Sequence, residues 1–219
     1  QYAVNAGTYS ITVSNFKAAN YSISYVPGTL TVNPKPLTIR VNDDARFVSQ
    51  SDTVGYKAAS YTGFLPGQSI ATLGTLSITR SGGATAPGTY SGVLQASIPG
   101  LTNNNYQITY VPGSYTIVPA DQLLVKMSNI AATYASEPVY TVASAKYFRS
   151  STNSLVDLTG LVQITGNAFS LNDGAGGTTV FTVGAASPSL SLGGQVNVGA
   201  YQLGSSGIVT NANYSNTMT

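Results

Sequence analysis

Between its turns the chain alternates apolar and polar side chains with period two, the pattern of half-buried β-strands. Thr8-Tyr-Ser-Ile-Thr-Val13 places Tyr9, Ile11 and Val13 on one face. Tyr21-Ser-Ile-Ser-Tyr25 and Tyr106-Gln-Ile-Thr-Tyr110 each put two tyrosines and an isoleucine on one face. Val26-Pro27-Gly28-Thr29 and Val111-Pro112-Gly113-Ser114 read as turns, with proline setting φ and glycine taking a positive φ. The chain then returns through Leu30-Thr-Val32 and Tyr115-Thr-Ile117, so each stretch predicts a Tyr-rich hairpin. Beyond Pro34 and Pro119 new strands begin, Leu37-Thr-Ile-Arg-Val41 and Leu123-Leu-Val-Lys-Met127. Helix signals are confined to one short turn in Pro66–Leu73 and another in Ser154–Leu158.

The pattern repeats. Asn5-Ala-Gly-Thr-Tyr9 recurs as Ala86-Pro-Gly-Thr-Tyr90 and Asn197-Val-Gly-Ala-Tyr201. Asn20-Tyr21 through Gly28 recurs as Asn105-Tyr106 through Gly113, and then in part as Asn213-Tyr214-Ser-Asn-Thr-Met218. Self-similarity of this kind marks an array of structural units. The repeats divide the chain into residues 1–35, the back half of a unit; 36–119, a complete unit; and 120–219, a third unit lacking its last strand. Short proline-bearing linkers, Asn33-Pro-Lys-Pro36 and Val118-Pro-Ala-Asp121, predict stiff connections. Gly7 and Gly88 are 81 positions apart but Gly88 and Gly199 are 111, so the third unit carries an insertion, placed near 140–195. Within it, Phe169–Val183 reads as an added hairpin around a Gly-rich loop. The expected architecture is all-β: tandem small modules, β-grasp-like or sandwich, with at most short helical turns, arranged as a rod.

Composition narrows the function. Charged residues make up 7% of the chain, against about a quarter in ordinary soluble proteins. The net charge of +2 has no Lys/Arg run behind it, which argues against nucleic acid as a partner. No apolar run approaches a membrane span, so membrane insertion is not expected. A Cys-free, charge-poor β-protein rich in Ser, Thr, Asn and Gly fits a bacterial extracellular setting.

The quoted motifs, with Asp43-Asp44 after the first strand and Ala132-Thr133-Tyr134 in the third unit, resemble MBG-type (mostly-β) repeats. Such modules stand in tandem in large bacterial surface and biofilm adhesins, many of them filamentous-haemagglutinin-like proteins of two-partner secretion. The second unit departs from the pattern at Arg46-Phe47-Val48. The resemblance implies a stalk- or fibre-forming module at the bacterial cell surface, with neighbouring modules as its partners and no catalytic residue.

Candidate chemistry is sparse. Without His or Cys, the usual nucleophile–base arrangements are excluded, and no catalytic residue, cofactor or metal is expected. Asn42-Asp43-Asp44 and Asn172-Asp173 offer oxygen ligands for calcium, although Asp and Asn beside Gly more simply cap turns. By analogy with crosslinked adhesins, Lys126 and Glu137 form the one pairing that suggests an isopeptide bond. The repeating tyrosines, Tyr9, Tyr25, Tyr90 and Tyr110, read as packing residues. A ligand surface is better sought in the insertion, at Tyr147, Phe148 and Arg149, since recognition concentrates on variable segments of a rigid scaffold. Three readings follow: a structural stalk of an adhesin, a polysaccharide-binding module using the insertion, and a fibre subunit in which residues 1–35 of one chain complete the third unit of another.

Overall fold

The computed structural model describes residues 5–15, 17–52, 56, 58–211 and 215–218. Its regular structure is strand, with single 3₁₀ turns at Ile70–Thr72, Ser150–Thr152 and Thr159–Leu161. Strands β1 (Gly7–Ile11) and β2 (Gly28–Val32) form an antiparallel pair. The next segment holds β3 (Lys35–Val41), β4 (Asp44–Phe47), β5 (Ala59–Thr62), β6 (Ser77–Arg80), β7 (Gly88–Ser97), β8 (Tyr106–Val111) and β9 (Gly113–Val118). The last holds β10 (Gln122–Met127), β11 (Val142–Arg149), β12 (Ser154–Asp157), β13 (Val162–Thr165), β14 (Ala168–Asn172), β15 (Thr178–Ala185), β16 (Leu203–Asn211) and β17 (Ser215–Met218).

Residues 35–118 make two sheets, ordered β5-β3-β8 and β4-β9-β7-β6. The alternation in β3 buries Leu37, Ile39 and Val41 on one face. Val41 meets Ile78, Leu94, Tyr115 and Ile117 of the other sheet, while Leu37 and Ile39 pack with Leu73, Ile98 and Tyr106. Strand β7 lies between two neighbours: Gly88–Tyr90 and Leu94 pair with β9, and Leu94–Ser97 with β6. Its register against β9 shifts between Tyr90 and Leu94, where Gly92 has φ +69°, the geometry of a bulge.

The Val-Pro-Gly steps are not hairpin turns. Strands β8 and β9 are consecutive but lie in different sheets, β8 parallel to β3 and β9 between β4 and β7. Gly113 has no positive φ; a Cβ there would lie 2.5 Å from the Asn42 carbonyl oxygen and 2.9 Å from that of Val41. The glycine is needed for close backbone approach as the chain crosses between sheets. Tyr21–Tyr25 likewise forms no strand, and Tyr21 is 80% exposed, whereas its counterpart Tyr106 is buried in β8. Tyr106 is held by the parallel strand β3 and by Leu65, whose N–H donates to its hydroxyl at 3.0 Å. Among the described residues Tyr21–Tyr25 has no such strand beside it. Asn213 and Tyr214 lie outside the described residues.

The third segment repeats the plan with additions, in sheets ordered β12-β11-β10-β17 and β13-β14-β15-β16. Strand β10 takes the place of β3, antiparallel to β11 and parallel to β17. The expected hairpin over 169–183 is β14–β15, with Phe169 stacked on Phe181 at 4.2 Å. Residues Ser154–Asp157, expected as a helical turn, are instead strand β12. Asn153, at φ +49°, turns the chain back so that 154–157 pair with β11, and that ladder outweighs a weak helical preference. The expected turn in Pro66–Leu73 is present as Ile70–Thr72.

The repeated Gly-x-Tyr motif has one local cause. The hydroxyls of Tyr9, Tyr90 and Tyr201 donate to the carbonyls of Asn5, Ala86 and Asn197, four residues back, at 2.8, 2.8 and 3.0 Å. The ring folds over the intervening glycine, and a Cβ at Gly199 would lie 3.2 Å from it.

One ionic cluster sits against the 35–118 core. Arg46 Nε and Arg80 Nη1 both donate to Asp52, at 2.6 and 2.5 Å, and Arg80 lies 4.5 Å over the buried Tyr115 ring. Buried guanidinium groups need this partner. The hydrogen bond from Arg46, aided by Arg80, holds the Asp52 carboxyl below its ordinary range, while burial opposes the shift. Burial pushes the Tyr115 hydroxyl up, with the neighbouring Tyr56 hydroxyl adding to it.

Two predictions follow from these contacts. Gly113→Ala should lower unfolding stability by about 1–3 kcal/mol, the usual range for overpacking. In chemical denaturation Gly83→Ala, in open space, should change it by less than about 0.5 kcal/mol. Because Asp52 is depressed in the folded state, its contribution is present above about pH 4 and lost as pH falls below that. Asp52→Asn should therefore lower the thermal midpoint near pH 6 and converge with the parent protein toward pH 2. The effect should be about 1 kcal/mol at most, since the carboxylate side chain is 45% exposed.

Candidate functional site

The most elaborate constellation in the molecule joins the second and third segments. It is built on Asn42–Phe47, the end of β3 running into β4. Asn42 Nδ2 donates to Asn129 Oδ1 at 2.5 Å. Asp43 accepts from the Ser114 backbone N–H at 2.6 Å and from Gln202 Nε2 at 3.1 Å, so it ties β9 to residues near β16. Asp44 accepts from Lys126 Nζ of β10 at 2.5 Å. Asp43-Asp44 is thus a pair of side chains bonded to protein donors across the joint, and the calcium reading of this dipeptide has no support in its surroundings.

Beneath these polar contacts runs a continuous apolar core. Ala45, Phe47 and Val118 from one segment pack with ten buried residues of the other, among them Leu123, Val125, Ala145 and Tyr147. The Phe47 ring lies 6.4 Å from that of Phe148. At about 1.5–3 kcal/mol for each fully buried large side chain, Phe47 and Val118 outweigh the partly exposed Lys126–Asp44 pair, which is worth about 1 kcal/mol or less. The apolar contact carries the energy of the joint, and the Asn–Asp stripe fixes its orientation. The expectation that proline linkers alone set the connection is therefore incomplete. Pro36 itself lies within β3, opposite Gln107.

The preceding connection is built differently. Strands β1 and β2 are exposed along nearly their whole length. They meet the second segment through the Ala6 N–H to Asn105 Oδ1, at 2.6 Å, and Asn105 Nδ2 to Asn5 Oδ1, at 2.9 Å.

The residues chosen from the sequence as a ligand surface fall into this joint. Tyr147 is 3% exposed and belongs to the shared core. Phe148 is half-buried against Phe47, and exposed Arg149 folds back to donate to the Tyr147 hydroxyl, 3.1 Å from its Nε. Alternation along β11 turns Tyr147 inward, so Tyr147, Phe148 and Arg149 do not form an exposed stacking platform. The Lys126–Glu137 pairing is also corrected: Lys126 meets Asp44, and Glu137 is exposed. In the Gly-rich loop, Asp173 Oδ1 accepts from the N–H groups of Ala175 and Gly177, and Asn172 Oδ1 from that of Gly174. These side chains cap the loop. Among the described residues no three His, Cys, Asp or Glu side chains cluster as a metal site would require. A recess of about 220 Å³ beside the joint is lined by Arg46, Lys126 and Lys146, each of which is ion-paired with an aspartate.

Asp157 shows how polar side chains finish the inserted strands. It accepts from the hydroxyl and backbone N–H of Thr159, which with Lys146 hold its carboxyl down to about 2. The joint residues Asn42, Phe47 and Val118 were not apparent as a group from the sequence. The available signal was the departure from the repeat pattern at Arg46-Phe47-Val48, where one side chain enters the neighbour's core.

Among known families, the profile described as MBG domain (YGX type) matches the chain over residues 2–31 and 37–116. No curated protein and no solved structure matches the chain. The first aligned stretch stops within β2 and the second within β9, so the match covers the segments on the N-terminal side of the joint.

Phe47→Ala should destabilise the protein by about 3–5 kcal/mol and uncouple the two sides of the joint. Calorimetry of the parent protein should give one transition for residues 35–218, and the variant should give two.

Proposed function

Because the chain belongs to the MBG domain family of the YGX type, we propose that it is a structural segment of a bacterial extracellular adhesin, and not an enzyme. Its role is to hold other parts of a long surface protein away from the cell, or to build the shaft of a matrix fibre. The observation that carries this reading is the joint. Consecutive modules share a core through Phe47 and Val118 and are oriented by Asn42, Asp43 and Asp44. A shaft needs this property, because load and direction pass from module to module only if the connection resists bending. The composition fits the same setting: the chain is 7% charged, cysteine-free and rich in hydroxyl and amide side chains. Its partners are neighbouring modules. A polysaccharide-binding role for the insertion loses its main support with Tyr147 inside the core.

The test separates spacer from binder. Residues 36–219 inserted in one, two or three copies between a known binding head and a bacterial surface should extend the distance over which cells adhere, with each copy adding reach. The chain by itself should not be retained on immobilised exopolysaccharide. Retention by the isolated chain, or adhesion indifferent to copy number, would overturn the proposal.

A further inference from the structure

The chain has nine Lys and Arg side chains, and three of them line the recess of about 220 Å³ beside the joint. Each segment supplies one wall. Arg46, Gln50 and Ser51 stand on the β4 side. Lys126 of β10 stands on the other with Ser144 and Lys146 of β11, where Lys126 is opposite Ser144 in the ladder. No described Asp or Glu side chain lines the recess.

The aspartates that pair with these cations lie outside that lining. Asp52 holds Arg46, Asp44 holds Lys126 and Asp157 holds Lys146. Asp52 also holds Arg80, so four cations share three carboxylates and one positive charge is left over. Donors are left over too. Arg46 donates through Nε to Asp52 and through Nη1 to the Phe47 and Val48 carbonyls. Among the described residues its Nη2 has no acceptor. Gln50 takes the Phe47 N–H on Oε1, which leaves its amide N–H groups. Each lysine has three N–H donors and one aspartate. Arg46 is 7% exposed, and a guanidinium so far from bulk water gains most from a charged acceptor.

We propose that this recess binds a tetrahedral oxyanion, a phosphate or sulfate group, which pins the two segments together. The surplus positive charge and the absence of a lining carboxylate select an anion. Donors on opposite walls suit one with oxygens on every side; a halide offers a single centre and a carboxylate two oxygens. Gln50 and Ser51 are exposed, so a solute can reach the recess. The inference rests on the reading of the joint as the rigid link of a shaft, and it adds a control. A ligand held by both walls stabilises the joined state more as its concentration rises.

Calorimetric titration of the parent protein with inorganic phosphate or sulfate, against chloride at matched ionic strength, tests the site. One oxyanion per chain should bind saturably and raise the thermal midpoint, and chloride should do neither. Lys146→Gln should weaken binding at least about tenfold, the effect of one charged hydrogen bond. Lys17→Gln makes the same charge change at an exposed position outside the recess and should bind as the parent does. Ser144→Asp places a carboxylate opposite Lys126 and should abolish the response, with the midpoint in chloride close to the parent's. Phe47→Ala, which separates the walls, should also lose tight binding. Glycerol phosphate distinguishes the sources: binding equal to phosphate assigns an esterified group, weaker binding a free ion, and both support the site. No saturable binding of either oxyanion, equal weakening by Lys17→Gln and Lys146→Gln, or unchanged binding in Phe47→Ala would overturn the proposal. The shaft reading would survive any of these, because its tests of a single transition and of reach involve no anion.

Discussion

The architecture depends on a strand wedged between two others. Strand β9 pairs with β4 on one edge and β7 on the other, buries Tyr115, Ile117 and Val118, and begins at a glycine pressed against the end of β3. Each contact is ordinary, but together they make β9 the piece that ties the two sheets of its module. Val118, its last residue, then enters the core of the next module. One strand therefore closes one unit and starts the connection to another. Among the described residues no strand pairs with residues 129–135, which lack regular structure and leave Tyr134 52% exposed.

The joint shows how a charge-poor chain makes a stiff connection. Surface ion pairs are weak, and a protein with few charges cannot rely on networks of them. Here the energy comes from aromatic and aliphatic side chains, with Ala45, Phe47 and Val118 joining a core that includes residues of β10, β11, β14 and β15. Polar groups then select one orientation among those that apolar contact alone would tolerate. Asn42, Asp43 and Asp44 bond across the joint to Asn129, Gln202 and Lys126 respectively, so rotation about the linker breaks several bonds at once. Among the described residues the connection at Asn5 and Asn105 is made by polar bonds, with the flanking strands exposed. Neighbouring joints in one chain thus differ in kind.

Much of the fold was legible because β-structure leaves a period-two trace and because the repeats marked the units. The strands at 37–41, 123–127 and 169–183 stand where alternation placed them. The recurrent Gly-x-Tyr step also carried real information: the hook to the carbonyl four residues back is local, so the same residues produce it each time. The Val-Pro-Gly steps misled for a related reason. Proline and glycine report that the backbone is special, but not whether the cause is a turn or a carbonyl from elsewhere in the chain. At Gly113 it is the carbonyl of Asn42.

By itself, then, the sequence determined the class of secondary structure, the repeating units and the local tyrosine hooks, all of which depend on residues within a few positions of one another. Only the tertiary structure decided which strands pair, because pairing joins residues far apart and alternation is identical for either partner. It also decided that Tyr147 faces a core and not a ligand, since both faces of β11 carry large side chains and Tyr147 lies on the face shared with buried Leu123, Val125 and Ala145, while Phe148 on the other face meets Phe47. The same motif, Asn-Tyr-x-Ile-x-Tyr, gives a strand paired with β3 and anchored by buried Tyr106 at 105–110, and exposed chain without regular structure at 20–25. What separates the two is a partner strand, and a strand without one has nowhere to place its hydrogen bonds except in water.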